Sequence, residues 1–452
     1  MEESVALLLE RSRKAQEIFA TFSQEQVDAV VRSLAKVVYD RAEELARMAH
    51  EETRMGVYAD KVKKNQGKAK IIWQSLKGKK SIGVIADDPL TGVTQIAKPM
   101  GVIGAVTPCT NPIVTPMCNA MFALKCCNAM IIAPHPRAKK CAAYLTGLFQ
   151  AELKALGAPE DLILCIEEPT LEKTNELMRS ADVVVATGGM NMVKAAYSSG
   201  KPAFGVGAGN VQCIVDRQSG LEEAIHKILA GRLFDNGIIC SGEQTVMIHE
   251  DEYDQAIALM SRHGAHVIRD AGQVEKIRSV LFPDGVMNKH LVGQPAGRVA
   301  EMAGLSIPAE TTVIVVEGSG SAQPDILCRE KMCPVLTLFP YKTFAEAVDI
   351  AMANLAVEGR GHSISIHSRD PENIAYAAQC VPVCRVLVNQ ICSTMNGGSF
   401  NNGFTATTTL GCGSWGNNSI SENLDYKHLM NITRIGRYLE QAVVPSDEEI
   451  WG

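Results

Sequence analysis

From Val102 onward, short apolar runs alternate with amphipathic stretches, and this rhythm limits the possible folds more than any other feature. Val102–Val106, Ala129–Ala133, Leu162–Ile166 and Val183–Ala186 read as strands. Pro116–Leu124, Lys139–Leu156, Leu171–Arg179 and Met190–Tyr197 read as the helices between them. Such unbroken apolar strands, each followed by a helix, belong to parallel sheets covered on both faces. A second cycle runs from Leu221 to about Asn389, with strands expected at Thr245–Ile248, Val313–Val316, Val335–Phe339, Ser363–Ile366 and Val386–Asn389. A chain of 452 residues is too long for one hydrophobic core, so it should divide.

The flanking regions differ. Residues 1–75 read as helices, with Val27, Val30, Val31, Leu34, Val37 and Val38 at helical spacing behind a Ser23/Gln26 capping box. Ser81–Ala86 and Val93–Lys98 flank the turn signal Asp87-Asp88-Pro89-Leu90-Thr91-Gly92 and predict a hairpin. After Gly397 the chain is rich in Gly, Asn, Thr and Ser, and patterning returns at Asp425–Tyr438.

Charge and cysteine usage narrow the functional classes. With 44 basic and 50 acidic side chains and no long basic run, neither nucleic acid nor an anionic membrane is expected as the main partner. The apolar runs are too short to cross a bilayer, and the first residues do not resemble a secretory or transit peptide, so a cytoplasmic protein is expected. Several of the fourteen cysteines, including Cys118, Cys126, Cys127 and Cys213, sit in apolar patterns and read as reduced core thiols. Cys328–Cys333 and Cys380–Cys384 lack CxxC spacing and nearby histidines, so no metal site is expected.

Gly411-Cys-Gly413-Ser-Trp-Gly416 matches GxGxxG literally, but Asn417-Asn418-Ser419 follows it instead of an apolar helix, and a loop is the better reading. Gly205-Val-Gly207-Ala-Gly209-Asn210 precedes a strand at Val211–Val215 and suggests close backbone approach. Val183–Gly189 is a buried strand ending in Thr187-Gly188-Gly189 just before a helix; it suits an anion site and an ordinary turn equally. Cys240 lies in a polar, glycine-containing loop, Phe234–Gln244, between a helix and a strand. Such a thiol can be an exposed nucleophile, although spacing by itself favours a structural cysteine.

Read together, FDNGIICSGEQ around Cys240, TPCTNPIVTP at Thr107–Pro116, APHPRAKK at Ala133–Lys140, VVVATGGMNMVKAAY at Val183–Tyr197, REKMCP at Arg329–Pro334 and TTTLGCGSWGNNSISENLDYKHL resemble the CoA-acylating aldehyde dehydrogenases. The likeness runs in order along essentially the whole chain and is strongest to the acylating succinate-semialdehyde and sulfoacetaldehyde dehydrogenases. It implies an α/β aldehyde dehydrogenase fold with a Rossmann-like cofactor lobe over residues 1–220 and a catalytic lobe over 221–400. A tail, 401–452, would return to the cofactor lobe and the oligomer interface. The hairpin at 81–98 would serve oligomerisation, giving a homodimer or homotetramer.

The resemblance also assigns roles. Cys240 would be the nucleophile that forms a thiohemiacetal and then a thioester, and the Asn111 amide with the Cys240 N–H would hold the oxyanion. Thr187, Gly188, Gly189 and Glu330 would contact NAD or NADP near the pyrophosphate and nicotinamide ribose, and Pro134, His135 and Arg137 the adenosine ribose. Arg137 and Lys139 put positive charge at that edge and would tolerate the phosphate of NADP or coenzyme A. Hydrolytic relatives carry a general-base Glu about 34 residues before the nucleophile. The matching position here is close to Gly205, so coenzyme A would take the acyl group. Arg360 would select an anionic aldehyde unless it points to solvent, and His362 would orient the CoA thiol or be structural. Dehydrogenation of uncharged short aldehydes, or a scaffold without turnover, are the alternatives.

Overall fold

The computed structural model describes residues 3–318 and 325–452. Four helices open the chain: α1 (Val5–Phe19), α2 (Gln24–Asp40), α3 (Ala42–Thr53) and α4 (Tyr58–Leu76). The capping box at Ser23 and Gln26 closes as expected and starts α2, which buries Val27, Val30, Val31, Leu34 and Val38. The antiparallel hairpin β1 (Gly83–Asp88) and β2 (Val93–Pro99) follows.

Next come β3 (Val102–Thr107), α5 (Val114–Lys125), β4 (Ala129–Pro134), α6 (Lys139–Ala155), β5 (Ile163–Cys165), α7 (Leu171–Ser180), β6 (Val183–Ala186), α8 (Met190–Tyr197) and β7 (Ala203–Gly205). Their strands form one parallel sheet in the order β5-β4-β3-β6-β7. Every residue of β3, β4 and β6 is buried, because helices cover both faces. The chain steps outward from β3 to β5, then returns to lay β6 on the other side of β3. The crevice beyond the C-terminal ends of β3 and β6 is therefore the topological switch point, where a parallel sheet offers room for a ligand.

The second half adds β8 (Val211–Val215), α9 (Leu221–Leu233), β9 (Glu243–His249), α10 (Tyr253–Arg262), β10 (Ala265–Ile268), α11 (Ala271–Leu281), α12 (Ala296–Met302) and β11 (Val313–Glu317). It continues with β12 (Val335–Tyr341), α13 (Phe344–Val357), β13 (Gly361–His367), α14 (Pro371–Cys380), β14 (Val383–Val388) and α15 (Cys392–Met395). These strands build a seven-stranded parallel sheet, β10-β11-β12-β9-β8-β13-β14. Since β8 already pairs with β9 and β13, the chain changes sheets between Gly205 and Val211, and we move the proposed lobe boundary there from residue 220. A strand's own residues do not name its partner, which is why β8 read equally well with the first half.

The tail returns to the first half. Tyr426 O accepts from Cys126 Sγ at 3.2 Å and Leu429 O from Asn128 Nδ2 at 2.8 Å. β15 (Met430–Gly436) then adds to β2, making a three-stranded antiparallel sheet, and α16 (Asp447–Trp451) lies exposed at the end. Gly411–Gly416 forms no strand-to-helix turn; Ser414–Gly416 is a single short 3-10 turn, as the loop reading expects.

Candidate active site

Cys240 sits on the loop between α9 and β9, and three features force that loop into place. Asp235, Asn236 and Gly237 are all left-handed, at φ +52°, +51° and +72°. Two non-glycine residues in that region cost energy and persist only where their surroundings over-determine them. Here Asp235 Oδ1 accepts from Val57 N at 2.7 Å, and its Oδ2 takes Lys64 Nζ at 2.6 Å and Lys61 Nζ at 3.1 Å. Asn236 Nδ2 donates to Gly293 O at 3.0 Å.

The second feature is Arg232, fully buried on α9. Its guanidinium donates to Gly237 O at 3.1 Å, Glu243 O at 2.8 Å and Cys333 O at 3.0 Å, and also to Lys331 O. One side chain thus clips both ends of the cysteine loop to the segment that carries Glu330. The third is Gly209: a Cβ there would fall 1.7 Å from Cys240 O, so only glycine lets the backbones meet. This is the close approach that the Gly205–Asn210 pattern suggests.

Cys240 keeps part of its surface on a cavity of 320 Å³. Asn111, on the loop after β3, lines the same cavity, as do Lys63, Lys64 and Lys68 from α4 and Thr407 and Thr408 from the tail. No other described residue accepts from Asn111 Nδ2 or from the Cys240 N–H, which leaves both donors open. None of the residues lining this cavity is Asp or Glu. Gly205 stands on β7, where a Cβ would come within 2.6 Å of Val193 Cγ1 and 3.0 Å of Tyr197 Cε2, so any side chain at that position must push these two aside.

Burial dominates the electrostatics. It pushes the Cys240 thiol up to about 12, helped by Glu330 and Cys412 and opposed by Arg385, so the thiol is protonated at neutral pH in the free protein. Burial, then Glu358, raise Glu330 to about 8. Burial lowers Lys68 to about 8. Its Nζ donates to Gly397 O at 2.8 Å and Thr407 O at 3.1 Å, and no described carboxylate lies within 4.0 Å of it. Burial would raise the Asp235 carboxyl, but Lys64 and Lys61 outweigh that and hold it ionised.

The other residues singled out in the sequence fall in three places. Thr187, Gly188 and Gly189 stand at the C-terminal end of β6, at the start of α8; Thr187 Oγ1 lies 2.9 Å from Thr409 Oγ1, and Gly189 is open to solvent. Pro134, His135 and Arg137 occupy the matching end of β4, with His135 and Arg137 exposed and Arg137 donating to Thr53 O at 2.9 Å. Lys139 is spent on Glu168 at 2.5 Å. Glu330 is half-buried, and its backbone N–H donates to Glu358 Oε2 at 2.7 Å.

His362 is buried on β13; its Nδ1 meets Ser363 Oγ at 3.0 Å, its Nε2 has no partner among the described residues, and burial keeps the ring neutral. Arg360 does not join the site. It is exposed and does not line the cavity, so the expected guanidinium clamp for an anionic tail is absent there. Positive charge reaches the cavity from α4 instead. Part of the signal was present, since Lys64 and Lys68, which line the cavity, stand at i and i+4 on one helix face, with Lys61 a turn before them on Asp235. Among the described residues, no group of three or more His, Cys, Asp or Glu is placed to hold a metal.

The model of the "Aldehyde dehydrogenase family" matches residues 1–272. The chain is 53% identical to "Succinate-semialdehyde dehydrogenase (acetylating)" of Clostridium kluyveri over 451 residues, covering 100% of this chain and 99% of that protein. The crystal structure of an acetylating aldehyde dehydrogenase from Geobacillus thermoglucosidasius superposes with a TM-score of 0.93 at 35% identity, covering 98% of each chain. The propionaldehyde dehydrogenase of Rhodopseudomonas palustris, with bound CoA and an acylated cysteine, has a TM-score of 0.85 at 28% identity, covering 96% of this chain and 97% of that one.

Proposed function

The chain belongs to the aldehyde dehydrogenase family, and from that premise we propose that Cys240 and Asn111 are the reacting centre of its CoA-acylating dehydrogenation of a small anionic aldehyde. The enzyme uses NAD(P) and coenzyme A, and its acyl intermediate is a cysteine thioester. Cys240 gives up its thiol proton to water as the sulfur bonds the aldehyde carbon, and the carbonyl electron pair moves to oxygen, giving an oxyanion that accepts from the Asn111 amide and the Cys240 N–H. NAD or NADP, when bound, takes the hydride. The switch-point edge supports this: Gly188 and Gly189 leave the start of α8 open, and Glu330, Pro134, His135 and Arg137 are assigned to the cofactor's ribose groups.

Oxidation leaves the acyl group on Cys240 as a thioester. The observation that carries the next step is the cavity wall, which presents lysines to the thioester and no Asp or Glu. With no carboxylate there to activate water, the thiol of coenzyme A takes the acyl group by exchange, and the reaction is reversible. His362 is buried and does not line that cavity; its neutral ring and an Nε2 with no partner among the described residues support assigning it to orient that thiol. The preference for an anionic aldehyde falls to Lys68 in place of Arg360. Uncharged short aldehydes are poorer substrates on this reading.

No described helix is long and apolar enough to cross a membrane, and all fourteen cysteines are free thiols. We place the enzyme in the cytoplasm on the second ground. The test is NAD(P)H formation with and without coenzyme A on succinate semialdehyde, sulfoacetaldehyde, acetaldehyde and propanal, using the parent and Cys240→Ala. CoA-dependent turnover that favours the charged aldehydes and vanishes in the variant is expected. Free acid formed without CoA, or undiminished turnover by Cys240→Ala, overturns the reading.

A further inference from the structure

Lys64 is a cation at the site that the reaction above does not use. Its Nζ lies 2.7 Å from Asn111 Oδ1 and 2.6 Å from Asp235 Oδ2, and its side chain is nine-tenths buried. An ammonium group has three donors and no acceptor, whereas an amide presents an oxygen on one side and two N–H donors on the other. Only one orientation of Asn111 can therefore face Lys64, with Oδ1 toward the ammonium and Nδ2 turned away from it. No other described residue makes a hydrogen bond to the Asn111 side chain, so Lys64 is the contact that chooses between the two orientations.

The ammonium is itself held. Asp235 is fully buried and accepts from Val57 N and Lys61 as well, and the Asp235 N–H donates to Asp60 Oδ2 at 2.9 Å. Asp235 also begins the left-handed turn that leads to Cys240. A single cation thus ties the loop after β3, which carries one oxyanion donor, to the loop before β9, which carries the other. The two donors come from different sheets, and no backbone ladder registers one against the other.

We infer that Lys64 is a positioning residue: anchored on Asp235, it fixes the Asn111 amide so that Nδ2 serves the oxyanion formed at Cys240. This rests on the proposed roles of Cys240 and Asn111. Loss of one oxyanion donor costs roughly 100- to 1,000-fold in kcat, so leaving that donor free to flip should cost about 10- to 100-fold.

The experiment is a double-mutant cycle between Lys64→Met and Asn111→Ala, read as kcat and KM for succinate semialdehyde and for propanal. In the parent background, Lys64→Met should lower kcat by about 10- to 100-fold for both aldehydes alike, with KM changed less than about threefold. In the Asn111→Ala background the same substitution should cost less than about threefold. Lys64→Arg, which keeps charge and donors, should return kcat to within about fivefold of the parent. If Lys64→Met does not fold, Lys64→Gln takes its place in the cycle.

A full, additive loss in the Asn111→Ala background overturns the inference. So does a rise in KM confined to the charged aldehyde, which would make Lys64 a substrate contact. If Cys240→Ala abolishes turnover and Asn111→Ala lowers kcat about 100- to 1,000-fold while the Lys64 variants match the parent, only this inference fails. If Cys240→Ala is active, the functional reading itself fails.

Discussion

Lys64 and Lys68 stand one turn apart on α4 and reach the same cavity, yet they are held differently. Lys64 has a buried carboxylate, while Lys68 has two backbone carbonyls and, among the described residues, no carboxylate within 4.0 Å. An uncompensated, desolvated ammonium is stabilised by any anion that enters, which is why Lys68 is assigned the aldehyde's carboxylate. The sign of its pH dependence follows. Burial lowers Lys68 to about 8, so the cation is present below that pH and lost above it. KM for succinate semialdehyde should rise as pH passes through about 8, whereas KM for propanal stays flat. Lys68→Met should raise the KM for the charged aldehyde about tenfold or more and remove this pH dependence, since a hydrogen bond to a charged group contributes about 1.5–3 kcal/mol. Initial-rate measurements across pH check it, and equal shifts for both aldehydes would sink the assignment. Arg360 looked suitable because it adjoins Gly361-His362 in the chain, but adjacency in sequence does not say which way a side chain points.

At the scale of elements, the active loop is shaped by backbone contacts that few of its own residues reveal. Phe234–Gln244 reads as a polar loop, and that much was legible. Its path depends on Arg232 from the preceding helix, on Gly293 and on Gly209, which are close only in space. Gly209→Ala puts a methyl group 1.7 Å from Cys240 O, so one backbone must move. A displacement of about 1 Å at a reacting group can cost about 100-fold in rate. The variant should therefore lose about 100-fold or more in kcat while its circular dichroism stays native. Parental turnover would mean that the Gly209 and Cys240 backbones do not pack this closely. Gly205–Asn210 was informative for the same reason: glycines repeated just before a strand require something to approach them, without saying what.

At the scale of the whole molecule, the three-stranded sheet is the element least needed by either core, and its outer residues are mostly exposed. We propose that it joins protomers into a dimer or tetramer. Light scattering of the full chain should give a multiple of 48.7 kDa, and a chain ending at Leu429, lacking β15, should give the monomer mass. An unchanged multiple after truncation would remove β15 from the interface. Much of this architecture follows from local sequence: apolar runs that admit only buried parallel strands, caps that start helices, glycines that permit close approach, and the loop that carries Cys240. These depend on backbone and side-chain preferences acting over a few residues. Tertiary structure decided that β8 joins the second sheet, that Arg360 stays in solvent, and that three lysines of α4 turn inward. Those outcomes depend on which groups meet across tens to more than a hundred residues of chain, where burial and pairing, invisible to local pattern, determine what each charge can do.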